Sequence, residues 1–175
     1  MLNLKRFLPK VVEIARRGGP PEDQVLAYMR FHRRLAKKYL GRNWHDILEL
    51  DYASDIVRIK RWVTSLLVLD QPPPKTCILL FEPAFPTSGC DLKVLGLNNP
   101  VDFAFEDFEF SYFPSDYFAK SDILKRLYDL NVESDEESDF RILLCLGYAN
   151  FAISWACRNV PAKLWLRNSK ERRVY

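Results

Sequence analysis

The sequence predicts an α+β fold, with a helical N-terminal third packed on a small, mainly antiparallel sheet and a buried C-terminal helix. Three observations predict it. Apolar residues before Pro72 recur at spacings of three and four, the period of a helix face. After residue 75 the pattern changes to short apolar runs broken by proline and glycine, which is strand punctuation. From Phe140 to Cys157 the chain is apolar nearly all round, and a helix with no water-preferring face is a core helix. The 175 residues suit one domain, 1–175, and 48% apolar against 28% charged residues is an ordinary globular balance.

In chain order, residues 1–70 are the mainly helical part. Val11 to Arg17 reads as a short helix beginning near Pro9, and Gly18-Gly19-Pro20 breaks it. Pro21-Glu22-Asp23 opens a second helix, with proline at its first position and acids in its first turn. It runs to Leu40, where Gly41 stops it. Val25, Tyr28, Met29, His32, Leu35, Ala36 and Tyr39 share its apolar side, and Arg30, Arg33, Arg34, Lys37 and Lys38 the other. Asn43 is placed to cap a short helix through Leu50. Ser54-Asp55 is placed to start another, whose buried stripe is Ile56, Ile59, Trp62, Val63, Leu66 and Leu67. Pro72-Pro73-Pro74 is a stiff connector.

Residues 76–113 read as strands. Thr76 to Phe81 is a central strand, Pro83, Pro86 and Gly89 make a turn, and Asp91 to Leu97 is a second strand ended by Asn98-Asn99-Pro100. Val101 to Phe113 is aromatic at nearly every other position. Its phase slips at Glu106-Asp107, as a β-bulge makes it slip. Helices return over 121–159. Ser121-Asp122 caps one through about Leu130. Glu133 to Asp139, with five acids in seven residues, reads as an exposed loop, and Ser138 is placed to cap the long helix after it. Lys163 to Arg167 alternates like an edge strand, and residues 168–175 read as a frayed polar tail.

The start of the chain shows no secretory signal pattern, and Cys77, Cys90, Cys145 and Cys157 form no Cys-x-x-Cys pair. Free thiols in a reducing cytoplasm are the expected state. The 16 residues from Ile142 to Cys157 are short for a membrane span, and no membrane partner is expected. The net charge of +3 hides a segregation. Residues 1–75 carry 15 basic and 8 acidic side chains, 76–140 carry 4 and 14, and 141–175 carry 7 and 1. A field of that kind steers charged partners, unless the segments neutralise one another in the fold.

Glu82, Asp91 and Lys93 offer an enzymatic alternative. Asp-x-Lys on one strand, with a carboxylate at the end of the preceding strand, resembles the core of metal-dependent restriction-type nucleases. The resemblance implies two carboxylates on Mg²⁺ and a lysine beside the attacking water. A further alternative is a nucleic-acid-binding accessory protein using the basic helix face over 30–38. The reading preferred over both is a cytosolic protein-binding module, of which a bacterial immunity protein covering a basic toxin is one example. Its expected binding surface is acidic and interleaved with aromatic rings: Asp102, Glu106, Asp107, Glu109, Glu133, Asp135, Glu136 and Glu137. The expected partner is a basic protein, with no catalytic residue, cofactor or metal.

Overall fold

The computed structural model describes residues 9–11, 13–14, 17, 21–39, 47, 49–74, 76, 78–84, 91–97, 110–115, 118–130, 135–158 and 173–174. Helical residues from Pro9 to Ile14 precede α1 (Pro21–Tyr39) and bury Val11 and Ile14. On α1, Val25, Tyr28 and His32 are buried and Met29 half-buried, so the apolar side faces the core as its spacing predicts. Helix α2 (Tyr52–Leu69) begins just before the predicted cap at Ser54. The cap is Asp51, whose carboxylate accepts the Ser54 amide at 3.0 Å. Ser54 is thus a donor at the third helical position and Asp51 the capping acceptor, an arrangement that suits either residue type equally from sequence.

Strand β1 (Ile78–Ala84) pairs antiparallel with β2 (Asp91–Leu97), in a register that sets Phe81 opposite Val94 and Glu82 opposite Lys93. Pro83 lies inside β1, not in the predicted turn. Past Leu79, β1 has a described neighbour on one side only, and proline at such an edge forfeits no ladder bond. β3 (Phe110–Tyr112) and β4 (Phe118–Ala119) both pair antiparallel with β2, at opposite ends of its free edge. The register shifts between Gly96 and Leu97, facing β3. The slip predicted at Glu106-Asp107, the turn residues Pro86 and Gly89, the alternation from Lys163 to Arg167, Cys77 and Cys90 lie outside the described residues.

Helix α3 (Asp122–Tyr128) has the predicted cap. The Ser121 hydroxyl accepts the Leu124 amide at 3.0 Å, and Ile123, Leu124 and Leu127 are buried. Helix α4 (Asp135–Arg158) starts before Ser138, so much of the predicted acidic loop is its first turn. Carboxylates in a first turn are stabilised by the positive end of the helix dipole, and a run of acids ahead of a helix therefore extends it. β5 (Arg173–Val174) pairs parallel with Ile78 and Leu79, so part of the predicted frayed tail joins the sheet. The sheet order is β3-β2-β1-β5, with β4 beside β3 on β2, and the fold is α+β as predicted.

α4 is the centre of the core. Phe140, Leu144, Tyr148, Phe151 and Ala152 are fully buried, and Leu143 and Trp155 nearly so. Its stretch Ser138–Arg158 is long and apolar enough to cross a membrane; in this fold 67% of that window is buried against protein. α2 lies along it and β1 of the sheet packs against it, and the Trp62 and Phe81 rings meet edge to face at 5.8 Å.

Candidate functional site

Of the predicted acidic surface, Asp102, Glu106, Asp107, Glu109 and Glu133 lie outside the described residues. Asp135, Glu136 and Glu137 are consecutive in the first turn of α4. The predicted basic face of α1 is solvent-facing: Arg30, Arg33, Arg34 and Lys37 are exposed, with His32 buried on the opposite side. Arg34 Nε donates to the Arg30 carbonyl at 3.5 Å. Arg30, Arg34 and Lys37 meet no carboxylate among the described residues.

The sheet register makes Glu82 the partner of Lys93, with Asp91 two residues along the same strand. Alternation puts Asp91 and Lys93 on one face of β2, opposite the buried Leu92 and Val94. The three positions of the nuclease alternative are therefore neighbours in the sheet. Among the described residues, no group of three or more His, Cys, Asp or Glu side chains is placed to hold a metal ion.

The densest polar site is one that sequence reasoning missed. Asp55, predicted at a helix start, is 2% exposed, in the first turn of α2 where that helix faces α3 and α4. Its Oδ2 accepts the Ser121 and Tyr148 hydroxyls, both at 2.7 Å, and its Oδ1 accepts the Asp122 amide at 3.1 Å. Arg58 approaches Oδ1 at 3.8 Å and donates to the exposed Asp122 carboxylate at 2.7 Å. Burial raises the Asp55 pKa above its ordinary value, and the hydrogen bonds from Ser121 and Tyr148 partly offset this. The Tyr148 hydroxyl is held protonated by its own burial and by the neighbouring carboxylate. Each lone pair of Asp55 in use points at a donor on another element, so the site joins α2, α3 and α4 through one carboxylate.

An aromatic cluster adjoins this carboxylate. Tyr28 stacks on Phe151 at 4.4 Å, and Tyr52 meets Tyr148 edge to face at 5.5 Å. Tyr28 Oη and His32 Nε2 are hydrogen-bonded at 2.5 Å, and burial pushes the His32 pKa down to about 3. His32 is a neutral core histidine. The sequence signal for the network is the helical step Asp55–Ile59–Trp62–Leu66, which places a carboxylate on the apolar stripe, together with the buried Tyr148, whose hydroxyl needs an acceptor.

On the opposite face of α2, Val57, Lys60, Arg61, Thr64, Ser65, Val68 and Leu69 line a groove of about 470 Å³. Lys60 holds its ammonium 5.9 Å from the Trp155 ring centre, while Arg61, Val68 and Leu69 are exposed.

Comparison with known proteins gives no match to a family model, a curated protein or a solved structure.

Proposed function

We propose that this chain is a protein-binding module of the cytoplasm that captures a basic protein partner through its acidic segment. A small toxin neutralised by a bacterial immunity protein is the type of partner meant. The observation that carries the reading is the exposure of Arg30, Arg34 and Lys37 with no carboxylate partner among the described residues. If the fold used its acids to neutralise its basic first third, these cations would be paired. Among the described residues they are not, which supports an outward field of the kind the sequence suggests. Such a field raises association rates and selects partners by sign. The aromatic residues among the acids of 101–113 supply anchors of the type that dominate interfaces.

The test is capture of a partner from the native host, with binding kinetics then measured at low and high salt. The variants are Glu106→Gln/Asp107→Asn and Glu133→Gln/Glu136→Gln. The captured partner is expected to be basic. Each double variant should slow association at low salt by several-fold, roughly the scale of rim-charge effects, and change dissociation little. An acidic partner, or wild-type association rates in both variants, would overturn the reading. Mg²⁺-dependent cleavage of nucleic acid that disappears in Asp91→Ala would replace it with the nuclease alternative.

A second reading, binding to nucleic acid, is favoured by that same exposed face of α1, whose Arg30, Arg34 and Lys37 are open to phosphates.

A further inference from the structure

Helix α2 has two stripes. The inner one, Ile56, Ile59, Trp62, Val63, Leu66 and Leu67, is buried and supplies the core. The outer one follows the same helical period through Val57, Lys60 and Arg61, Thr64 and Ser65, and Val68, and it lines the groove. A face that only met water would need no apolar side chains, yet Val68 is 46% and Leu69 81% exposed at its C-terminal end. We propose that this groove is a second docking surface, for an acidic segment of a partner protein that presents apolar side chains along one side. Its cations select a partner of the opposite charge to the one expected for the acidic segment.

Charge complementarity identifies the occupant. Lys60 and Arg61 put two adjacent cations in the groove lining, and the carboxylates at either end of the helix are engaged elsewhere. Asp55 is turned into the core. Asp70 accepts the Ser115 hydroxyl at 2.9 Å and the Ser115 amide on its carboxylate, and its carbonyl accepts the Tyr112 hydroxyl. Arg58 is paired with Asp122, whereas Arg61 is exposed and meets no carboxylate among the described residues. A segment that covered Val57, Val68 and Leu69 without supplying a carboxylate would strip water from Arg61 and leave its charge unpaired, an unfavourable exchange. A nucleic acid would find phosphate partners here, but among the described residues the groove lining contains no aromatic side chain on which a base could stack. The surface is also preformed. Asp51 caps one end of α2, Asp70 is bonded to the residues after β3 at the other, and Asp55 holds the helix from behind, so docking requires little ordering of this side.

The probe is a random peptide library displayed on phage, selected against the full chain. The enriched peptides should carry an excess of Asp and Glu together with two or more large apolar residues at helical or alternating spacing. Their affinity should fall about tenfold or more in Arg61→Glu and in Leu69→Gln, the scale expected for central interface residues. Both positions are exposed, and an unchanged melting curve confirms that folding is retained. Affinity should be unaffected by Arg30→Glu/Arg34→Glu on α1. Four outcomes of the selection would overturn the proposal. They are failure to enrich any peptide, enrichment of neutral or basic peptides, wild-type affinity in the Arg61 and Leu69 variants, and loss of binding in the α1 variant. Sedimentation of the wild type against Leu69→Gln covers the remaining occupant, because a dimer that dissociates in the variant would overturn the proposal by making the groove an interface between copies of this chain.

Discussion

Two buried residues among those described bear on the response of this fold to acid, and they act in opposite directions. His32 falls from 6.5 to about 3 on burial, so the unfolded chain binds its proton more readily than the folded one. Its contribution to stability is fully present above pH 6.5 and is lost as pH falls from 6.5 toward 3. Asp55 is raised above 3.8 by burial, so the folded chain holds its proton more tightly. Its contribution is fully present below pH 3.8 and is lost as pH rises through the folded-state value. Acidification from neutrality should therefore destabilise the wild type through His32 while Asp55 resists. His32→Gln should lose less stability between pH 6.5 and about 4 than the wild type, and Asp55→Asn should lose more over the lower part of that range. Denaturant unfolding across that range checks both slopes; parallel curves for all three proteins would contradict this. At neutral pH, Asp55→Ala should be the more damaging change, because the Ser121 hydroxyl, Tyr148 hydroxyl and Asp122 amide lose their acceptor, at about 1–3 kcal/mol for each donor left buried and unpaired.

At the level of elements, periodicity was a good guide to faces and a poor guide to ends. The stripes of α1, α2 and α4 and the strand Asp91–Leu97 were legible because burial imposes a period of 3.6 or 2 on residue type. The start of α2 was not, since Asp51 and Ser54 are equally good caps and only the backbone decides which accepts. The start of α4 was misplaced because acids serve both solvated loops and first turns. In the Asp55 network the helical step marks the carboxylate, but its partners were illegible for a different reason. Ser121 and Tyr148 lie 66 and 93 residues from Asp55, and no local pattern reports such a meeting. The sheet contains a comparable long-range constraint at Gly96. A Cβ there would lie 2.6 Å from Tyr112 Cβ and 2.8 Å from Thr76 Cγ2. Tyr112 cannot easily retreat, because its hydroxyl is bonded to the Asp70 carbonyl at the end of α2. Gly96→Ala should therefore destabilise by roughly 1–3 kcal/mol, as overpacking does, with a lowered urea midpoint and an unchanged m-value. A wild-type midpoint would mean that β3 shifts freely along β2.

For the whole molecule, the sequence showed how charge is divided but not which charges face outward, and the exposed α1 stripe is where that difference can be measured. Reversing Arg30, Arg34 and Lys37 to Glu removes three exposed cations that pair with no carboxylate among the described residues. Stability should change by no more than about 0.5 kcal/mol for each of the three positions, the usual range for a surface substitution. The two readings of function then predict opposite effects on binding. A protein that grips phosphates through this stripe would lose affinity for duplex DNA, and the slope of log affinity against log salt would flatten by about 0.9 for each phosphate no longer neutralised. A protein that captures a basic partner through its acids would gain from the same change, since the stripe repels that partner at long range. Its association at low salt should then be faster in the triple variant than in the wild type, and the advantage should shrink as the Debye length falls to about 8 Å at physiological ionic strength. Faster capture, with dissociation unchanged, is the expected result. Slower capture would place the stripe inside the binding surface and reverse the sign of the partner.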